Sequence, residues 1–316
     1  MGMQIQPKVI IHGGAGSSLH SKGGVESIRR DLRDIVEEIY GKLLAGADAK
    51  TAVIYGCHML EDNPCFNAGK GSVLQSDGQV RMSASLMDGA AQRFSGVINV
   101  SRVQHPTDLA AFLQDCDDRV LSDYGSAELA REMCLPVFDP ATELRLKEWQ
   151  QERANHFQKA MAGVVAEKEL IDTSARRGTI GVVVLDSEGR LAAGTSTGGK
   201  GLERIGRVSD SAMPAGNYAN PFAGISCTGI GEDIIDECLA PRIVIRVTDG
   251  LSLGQAFARS FTEAEQNGRD FGAIGIDRTG AIAWGKTSDV LLAAYHTGTD
   301  IGDTLEQGIG TMTGTC

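Results

Sequence analysis

Apolar and polar positions alternate along this chain with two different periods, and the changes of period mark its elements. Lys8-Val9-Ile10-Ile11 reads as a short strand running into His12-Gly13-Gly14-Ala15-Gly16. From Gly24 to Ala49, Ile28, Leu32, Ile35, Val36, Ile39, Tyr40, Leu43 and Leu44 recur at helical spacing, and a second helix is predicted from Thr51 to Leu60. A compact polar loop follows, Leu60-Glu61-Asp62-Asn63-Pro64-Cys65-Phe66-Asn67-Ala68-Gly69-Lys70-Gly71. Ser72 to Gln75 and Gln79 to Met82 flank Ser76-Asp77-Gly78, which predicts a hairpin. Phe94 to Val100 reads as a strand. Pro106-Thr107-Asp108 opens a helix through Asp115, and Ser126 to Cys134 predicts a shorter one. Leu146 to Asp172 is rich in Lys, Glu and Gln and has no clear apolar stripe. A mobile, solvated linker is expected over about residues 150–178.

Beyond Gly178 the texture changes. Thr179 to Leu185 and Arg190 to Thr197 predict a hairpin over Asp186-Ser187-Glu188-Gly189. Ala223 to Cys227 is a strand, and Glu232 to Val247 and Leu253 to Asn267 are amphipathic helices. Phe271 to Asp277 and Ala281 to Trp284 make another hairpin, Val290 to His296 is the last predicted strand, and a loose tail is expected from Thr297. Hairpins with grouped helices argue against a parallel, doubly wound sheet. Two antiparallel sheets packed face to face, with helices outside, fit the order better.

Composition narrows the function. A formal net charge of -11 disfavours a nucleic-acid partner. Glycine is abundant, at 40 residues, and suits tight turns and close approach of backbone to a small ligand. The start, MGMQIQPKVIIHGG, has no long apolar segment, so no signal peptide is expected, and no apolar run has membrane-spanning length. Seven scattered cysteines without a C-x-x-C pair point to a reduced, cytoplasmic protein with buried thiols.

The chemistry centres on Gly178-Thr179, where a polar segment meets a strand of β-branched residues. A threonine hydroxyl is a weak nucleophile that needs a base. Scission before Thr179 would supply one, because the new α-amine has a pKa near ~7.7–8.0 and sits on the same residue. Thr197 ends the neighbouring strand and can orient that hydroxyl. Thr228 and Gly229 offer a hydroxyl and a backbone N–H at a strand end, which suits an oxyanion hole. Arg207 can fork a carboxylate and Asp210 can take an ammonium. A substrate with both groups and an amide to cleave is asparagine or a β-linked aspartyl peptide. Taken singly these residues are ordinary strand ends and a surface ion pair; the case rests on their joint order.

HGGAG, NPCFNAGKG, Ser85-Leu86-Met87-Asp88-Gly89, RGTIGVVVLD, TSTGG, GRVSDS and CTGIGE together resemble the plant-type (type III) L-asparaginase/isoaspartyl peptidases, which are N-terminal-nucleophile (Ntn) hydrolases. The resemblance runs from the HGGAG turn to about Asp277. It implies an α+β fold, a four-layer αββα sandwich forming a single domain, with autocleavage into an alpha subunit (1–178) and a beta subunit (179–316) assembled as an (αβ)2 heterotetramer. It also implies Thr179 as nucleophile, Thr197 as its assistant, Thr228 and Gly229 as oxyanion hole, Arg207 and Asp210 as substrate clamp, and Asn67 near the nucleophile. The loop resembles a structural Na+ site built from the main-chain carbonyls of Leu60, Glu61, Phe66, Ala68 and Lys70. No organic cofactor is expected. Ser209, Ala212 and Ile230 depart from the family pattern, and the loop from Asp210 to Tyr218 is about one residue short; these changes touch the pocket walls.

Other readings remain open at this level. Gly194-Thr195-Ser196-Thr197-Gly198 fits G-x-S-x-G, and Asp277 or Asp289 with His296 would complete an α/β-hydrolase order. Against it, Gly198-Gly199-Lys200-Gly201 follows where that elbow needs a helix. A non-processed amino-acid-binding protein and a glycosylasparaginase-like amidase are the remaining alternatives.

Overall fold

The computed structural model describes residues 5–16, 25–155, 178–308 and 310–316. The elements run β1 (Lys8–Gly16), α1 (Val25–Leu44), α2 (Ala49–Asp62), β2 (Met82–Asp88), β3 (Arg93–Val100), α3 (Pro106–Leu113), β4 (Val120–Ser122), α4 (Asp123–Glu132) and α5 (Glu143–Ala154). They continue with β5 (Ile180–Leu185), β6 (Leu191–Thr197), β7 (Asn217–Ala219), β8 (Ala223–Gly229), α6 (Gly231–Glu237), α7 (Leu239–Thr248) and α8 (Leu253–Gln266). The chain closes with β9 (Phe271–Asp277), β10 (Ile282–Lys286), β11 (Val290–His296), β12 (Ile301–Asp303) and β13 (Met312–Thr315).

The strands form two sheets. One has the order β12-β11-β1-β5-β6-β2-β3-β4, the other β13-β10-β9-β8-β7. Pairing is antiparallel except between β3 and β4. Side-chain alternation along β5 builds two layers of core at once. Ile180, Val182 and Val184 pack on α1 and α2. Val183 and Leu185 face Ile274, Ile276 and Ile282 of the second sheet. The far side of that sheet packs Ile225, Cys227 and Phe271 against Ile243, Val244, Phe257 and Phe261 of α7 and α8. The result is an α+β, αββα sandwich. All six residues of β5 are buried, at about 1.5–3 kcal/mol for each large side chain taken out of water.

The structure corrects several expectations. The hairpin predicted around Ser76-Asp77-Gly78 is a tight turn, with Gln75 N donating to Gln79 O, and not a strand pair. The strand there begins at Met82 and pairs with β3 and β6. Residues 150–154, expected in the linker, close helix α5. That helix lacks an apolar stripe because it docks by hydrogen bonds: Arg145 Nε donates to Gly71 O (2.9 Å) and Trp149 Nε1 to Gln75 O (3.0 Å). The remainder of the expected linker, 156–177, lies outside the described residues. The single helix predicted from Glu232 to Val247 is two, broken at Cys238, which adopts φ 47° just ahead of Pro241. The tail is not loose, since β12 adds to β11 and β13 to β10. All seven cysteines are free thiols, but only Cys57 and Cys227 are buried.

Candidate active site

Thr179 lies one residue before β5, on the face of the strand that looks between the sheets, and is 8% exposed. Ile180 is in register with Ser196, so Thr179 falls opposite Thr197, the last residue of β6. Its Oγ1 donates to Thr197 Oγ1 at 3.2 Å. Thr197 Oγ1 also accepts from Gly199 N at 3.1 Å, which fixes its lone pairs. Asn67 holds the turn beyond: its carbonyl accepts from Gly198 N, its Nδ2 donates to Gly199 O (2.6 Å), and its Oδ1 accepts from Val73 N (2.9 Å). Asn67 thus supports the Thr197 end of the strand pair from the loop side.

Behind Thr179 is a polar network that sequence reading missed. His12, wholly buried in β1, lies with Nδ1 3.0 Å from Thr179 O and Nε2 2.9 Å from Ser226 Oγ. Burial lowers its pKa to about 3 against the opposing hydrogen bond to Thr179, so the ring is neutral. A carbonyl only accepts, so Nδ1 carries the proton and Nε2 accepts from Ser226. Ser226 Oγ in turn lies 2.7 Å from Thr195 Oγ1. The chain of donors therefore runs Thr195, Ser226, His12, Thr179 carbonyl. A histidine between an apolar strand and a glycine pair was visible in the sequence, but its partners come from β5, β6 and β8.

Thr228, next to last in β8, lies on the same inter-sheet face and accepts from Ala15 N at 3.2 Å. Gly229 has φ 132°, a region that side chains avoid, and a Cβ there would lie 2.5 Å from Phe271 Cα. Only glycine lets the backbone turn its amide at that strand end. Asp210 opens a single 3-10 turn, Asp210–Ala212, capped by Ser209. A Cβ on Gly231 would lie 2.6 Å from Asp210 Oδ1 and 2.7 Å from Arg207 Nη2, so both charged groups face the space in front of that glycine. Burial pushes the Asp210 carboxyl up to about 7, against the pull of Arg207. Its Oδ2 has no hydrogen-bond partner among the described residues.

Arg207 has a partner that the sequence reading did not assign. Glu232, in the first turn of α6, takes the guanidinium side-on, with Nε to Oε1 at 2.8 Å and Nη2 to Oε2 at 3.0 Å. Partial burial alone would raise the Glu232 pKa, but the Arg207 fork and Lys200 hold it at about 2. The end-on edge of Arg207, Nη1 with Nη2, is left for a second carboxylate. The spacing Thr228-Gly229-Ile230-Gly231-Glu232 is the signal that could have found this pair.

In the polar loop, Gly69 and Gly71 both have positive φ, and added Cβ atoms would lie 2.4 Å from Glu61 O and 2.6 and 2.9 Å from Pro64 O and Phe66 O. Lys70 N donates to Glu61 O at 2.7 Å. The Glu61 side chain turns away to accept from Thr107 Oγ1 at 2.7 Å, which leaves its carbonyl to the loop. Main-chain oxygens of Glu61, Pro64 and Phe66 are thus packed around the turn. Such oxygens are the donor type that a hard cation takes.

The Ser-hydrolase arrangement is not assembled. Ser196 is buried on the opposite, helix-facing side of β6 from Thr195 and Thr197. His296 stacks on Tyr40 at 3.6 Å. Asp277 Oδ1 accepts from Thr279 and Ala281 in its own turn.

Among the described residues no helix is long and apolar enough to cross a membrane. A family model described as Asparaginase matches residues 5–306. The chain is 69% identical over 315 residues to an isoaspartyl peptidase/L-asparaginase of Nostoc sp., covering 99% of each chain. It is 65% identical over 300 residues to one of Synechocystis sp. (95% of this chain, 91% of the relative). It is 36% identical over 297 residues to a plant-type L-asparaginase of Pyrococcus abyssi (91% and 95%). With its hydroxyl pair at the head of a sandwich strand and these matches along nearly its whole length, the chain belongs to the asparaginase family of plant-type L-asparaginases and isoaspartyl peptidases, which are Ntn hydrolases.

Proposed function

We propose that this protein hydrolyses β-aspartyl (isoaspartyl) peptides and the side-chain amide of L-asparagine, releasing L-aspartate, with Thr179 as an N-terminal nucleophile. The observation that carries the reading is the buried Thr179 hydroxyl, 3.2 Å from that of Thr197, in a chain where Arg207 and Asp210 both turn toward Gly231, two residues past Gly229. Maturation begins with the Thr179 hydroxyl attacking the Gly178 carbonyl. The resulting ester is hydrolysed, leaving a carboxylate on Gly178 and a free α-amine on Thr179.

In turnover the substrate α-carboxylate meets the free edge of Arg207 and its ammonium meets Asp210. The Thr179 hydroxyl adds to the side-chain carbonyl while its own α-amine takes the proton. The oxyanion is held by the Thr228 hydroxyl and the Gly229 N–H. Collapse passes the proton to the leaving amine and leaves a β-aspartyl ester on Thr179. Water, deprotonated by the same amine, then releases aspartate. Neutral His12, donating to the Thr179 carbonyl, anchors the residue while its bonds change.

The same reading takes residues 1–178 and 179–316 as subunits of an (αβ)2 assembly acting in the cytoplasm, a compartment consistent with seven free thiols. It also takes a structural Na+ to sit among the main-chain carbonyls of the Leu60 to Lys70 loop. Intact mass of the denatured protein, paired with aspartate release from a β-aspartyl dipeptide, tests the core of it. Two masses meeting at Gly178/Thr179 with turnover are expected, and one mass without turnover for Thr179→Ala. A cleaved, active Thr179→Ala protein would end the proposal. A single wild-type mass that binds aspartate without hydrolysis would instead establish a binding protein.

A further inference from the structure

Two helices of the outer layer bring a second cluster together on the far side of the larger sheet. α2 carries His58 and Asp62, one turn apart, and the start of α3 carries His105 and Asp108 at i, i+3. The imidazoles stack at 4.3 Å with planes 17° apart. His58 Nε2 lies 2.7 Å from Asp108 Oδ1, and His105 Nδ1 lies 3.8 Å from Asp108 Oδ2. One donor atom from each of His58, His105 and Asp108 falls within 4.8 Å of the others. The His105 Nε2 faces away, 2.9 Å from Asp62 Oδ1, which also accepts from Gln104 Nε2 at 2.8 Å.

We propose that His58, His105 and Asp108 form a three-ligand site for a divalent transition metal of the Zn2+ type, which ties α2 to α3. Zinc bound at about 2.0–2.1 Å in a tetrahedron sets its ligand atoms about 3.3 Å apart; the two histidine–Asp108 separations, 2.7 and 3.8 Å, bracket that spacing, and all three donor atoms lie within 4.8 Å of one another. Closing on an ion asks the two stacked imidazoles to tilt out of their near-parallel planes until both lone pairs converge; the side chains are 18–33% exposed and so reachable from solvent. Imidazole with carboxylate is a donor set that borderline cations accept. The Asp62 carboxylate behind His105 is the outer partner that orients a ligating imidazole and leaves Nδ1 for the metal. His105 is the N-cap residue of α3 but makes no side-chain capping bond, so its Nδ1 is not committed to the helix backbone.

The site shares no residue with the Thr179 pocket, so its test is independent of the proposed activity. Mature, chelator-treated protein is titrated with Zn2+ by calorimetry and with Co2+ by visible absorption. The expected result is about one ion per chain and a d–d band from nitrogen–oxygen coordination. A hundredfold excess of Zn2+ over its Kd should raise Tm by roughly 5 °C. His105→Asn, which keeps a residue suited to the N-cap, should abolish the band and the Tm shift while the protein stays folded. Asp62→Asn should weaken binding by about 10-fold or more. Wild-type protein that takes up no metal, or binding unaltered in His105→Asn, would overturn the proposal.

Discussion

Asp210→Asn separates binding chemistry from folding energetics, because the structure predicts opposite signs for the two. Asp210 is buried, and its carboxyl is displaced from an ordinary 3.8 to about 7, first by burial and in spite of Arg207. A carboxyl whose folded pKa is raised favours the fold when protonated. That contribution is complete below the unfolded value near 4 and is lost as pH rises through about 7. At pH 8 the folded protein therefore holds an unfavourable charge. About three pKa units at 1.36 kcal/mol each set the cost at up to about 4 kcal/mol. Asn removes the charge and keeps the shape. The variant should be more stable than its parent at pH 8, with the difference shrinking toward zero by pH 4. Melts in the Thr179→Ala background measure this on chains that remain intact. Activity moves the other way: losing a charge-assisted bond to the substrate ammonium costs about 1.5–3 kcal/mol, or roughly 10- to 150-fold in kcat/KM. In the parent enzyme, kcat/KM should fall by more than about 10-fold between pH 8 and pH 6, as protonation of Asp210 adds to that of the Thr179 α-amine, and the Asp210→Asn variant should lose only the α-amine part of the fall. A less stable Asp210→Asn at pH 8, a stability difference that ignores pH, or a flat parent profile would each refute the reasoning.

Two further substitutions probe the pocket. Thr197→Val removes the hydroxyl 3.2 Å from the nucleophile and leaves Gly199 N without that acceptor. It should lower kcat about 10- to 100-fold with little change in KM, and a KM-only effect in steady-state kinetics would contradict the orienting role. Glu232→Gln keeps the shape of the side-on partner of Arg207 but loses its charge. It should raise KM for asparagine several-fold and leave kcat within about 2-fold; unchanged KM would mean that Arg207 needs no such restraint.

Much of this protein was legible in its residues. The β-branched run after Thr179, the hairpin turn at Asp186 to Gly189 and the heptad-like spacing of α1 each encode a local structure from neighbours a few positions apart. Motif order singled out Thr179, Thr197, Arg207 and Asp210, because strand ends and glycine turns are local properties. Register did the rest, since Ile180 opposite Ser196 sets Thr179 opposite Thr197. What sequence could not decide depended on long-range contact. The helix 143–154 has no apolar stripe because Arg145 and Trp149 reach backbone carbonyls some seventy residues away. The tail strands gain order only from the sheet edges they complete. His12 is a common buried residue in one dimension, and becomes a neutral donor to the nucleophile only where three strands enclose it. Glu232 and the His58–His105 pair likewise acquire partners through packing, and burial moved the Asp210 titration. Residue order alone sets which groups are present and which backbone turns present them. Tertiary structure decided their charge states and partners, because desolvation and distance are properties of the folded chain and not of sequence order.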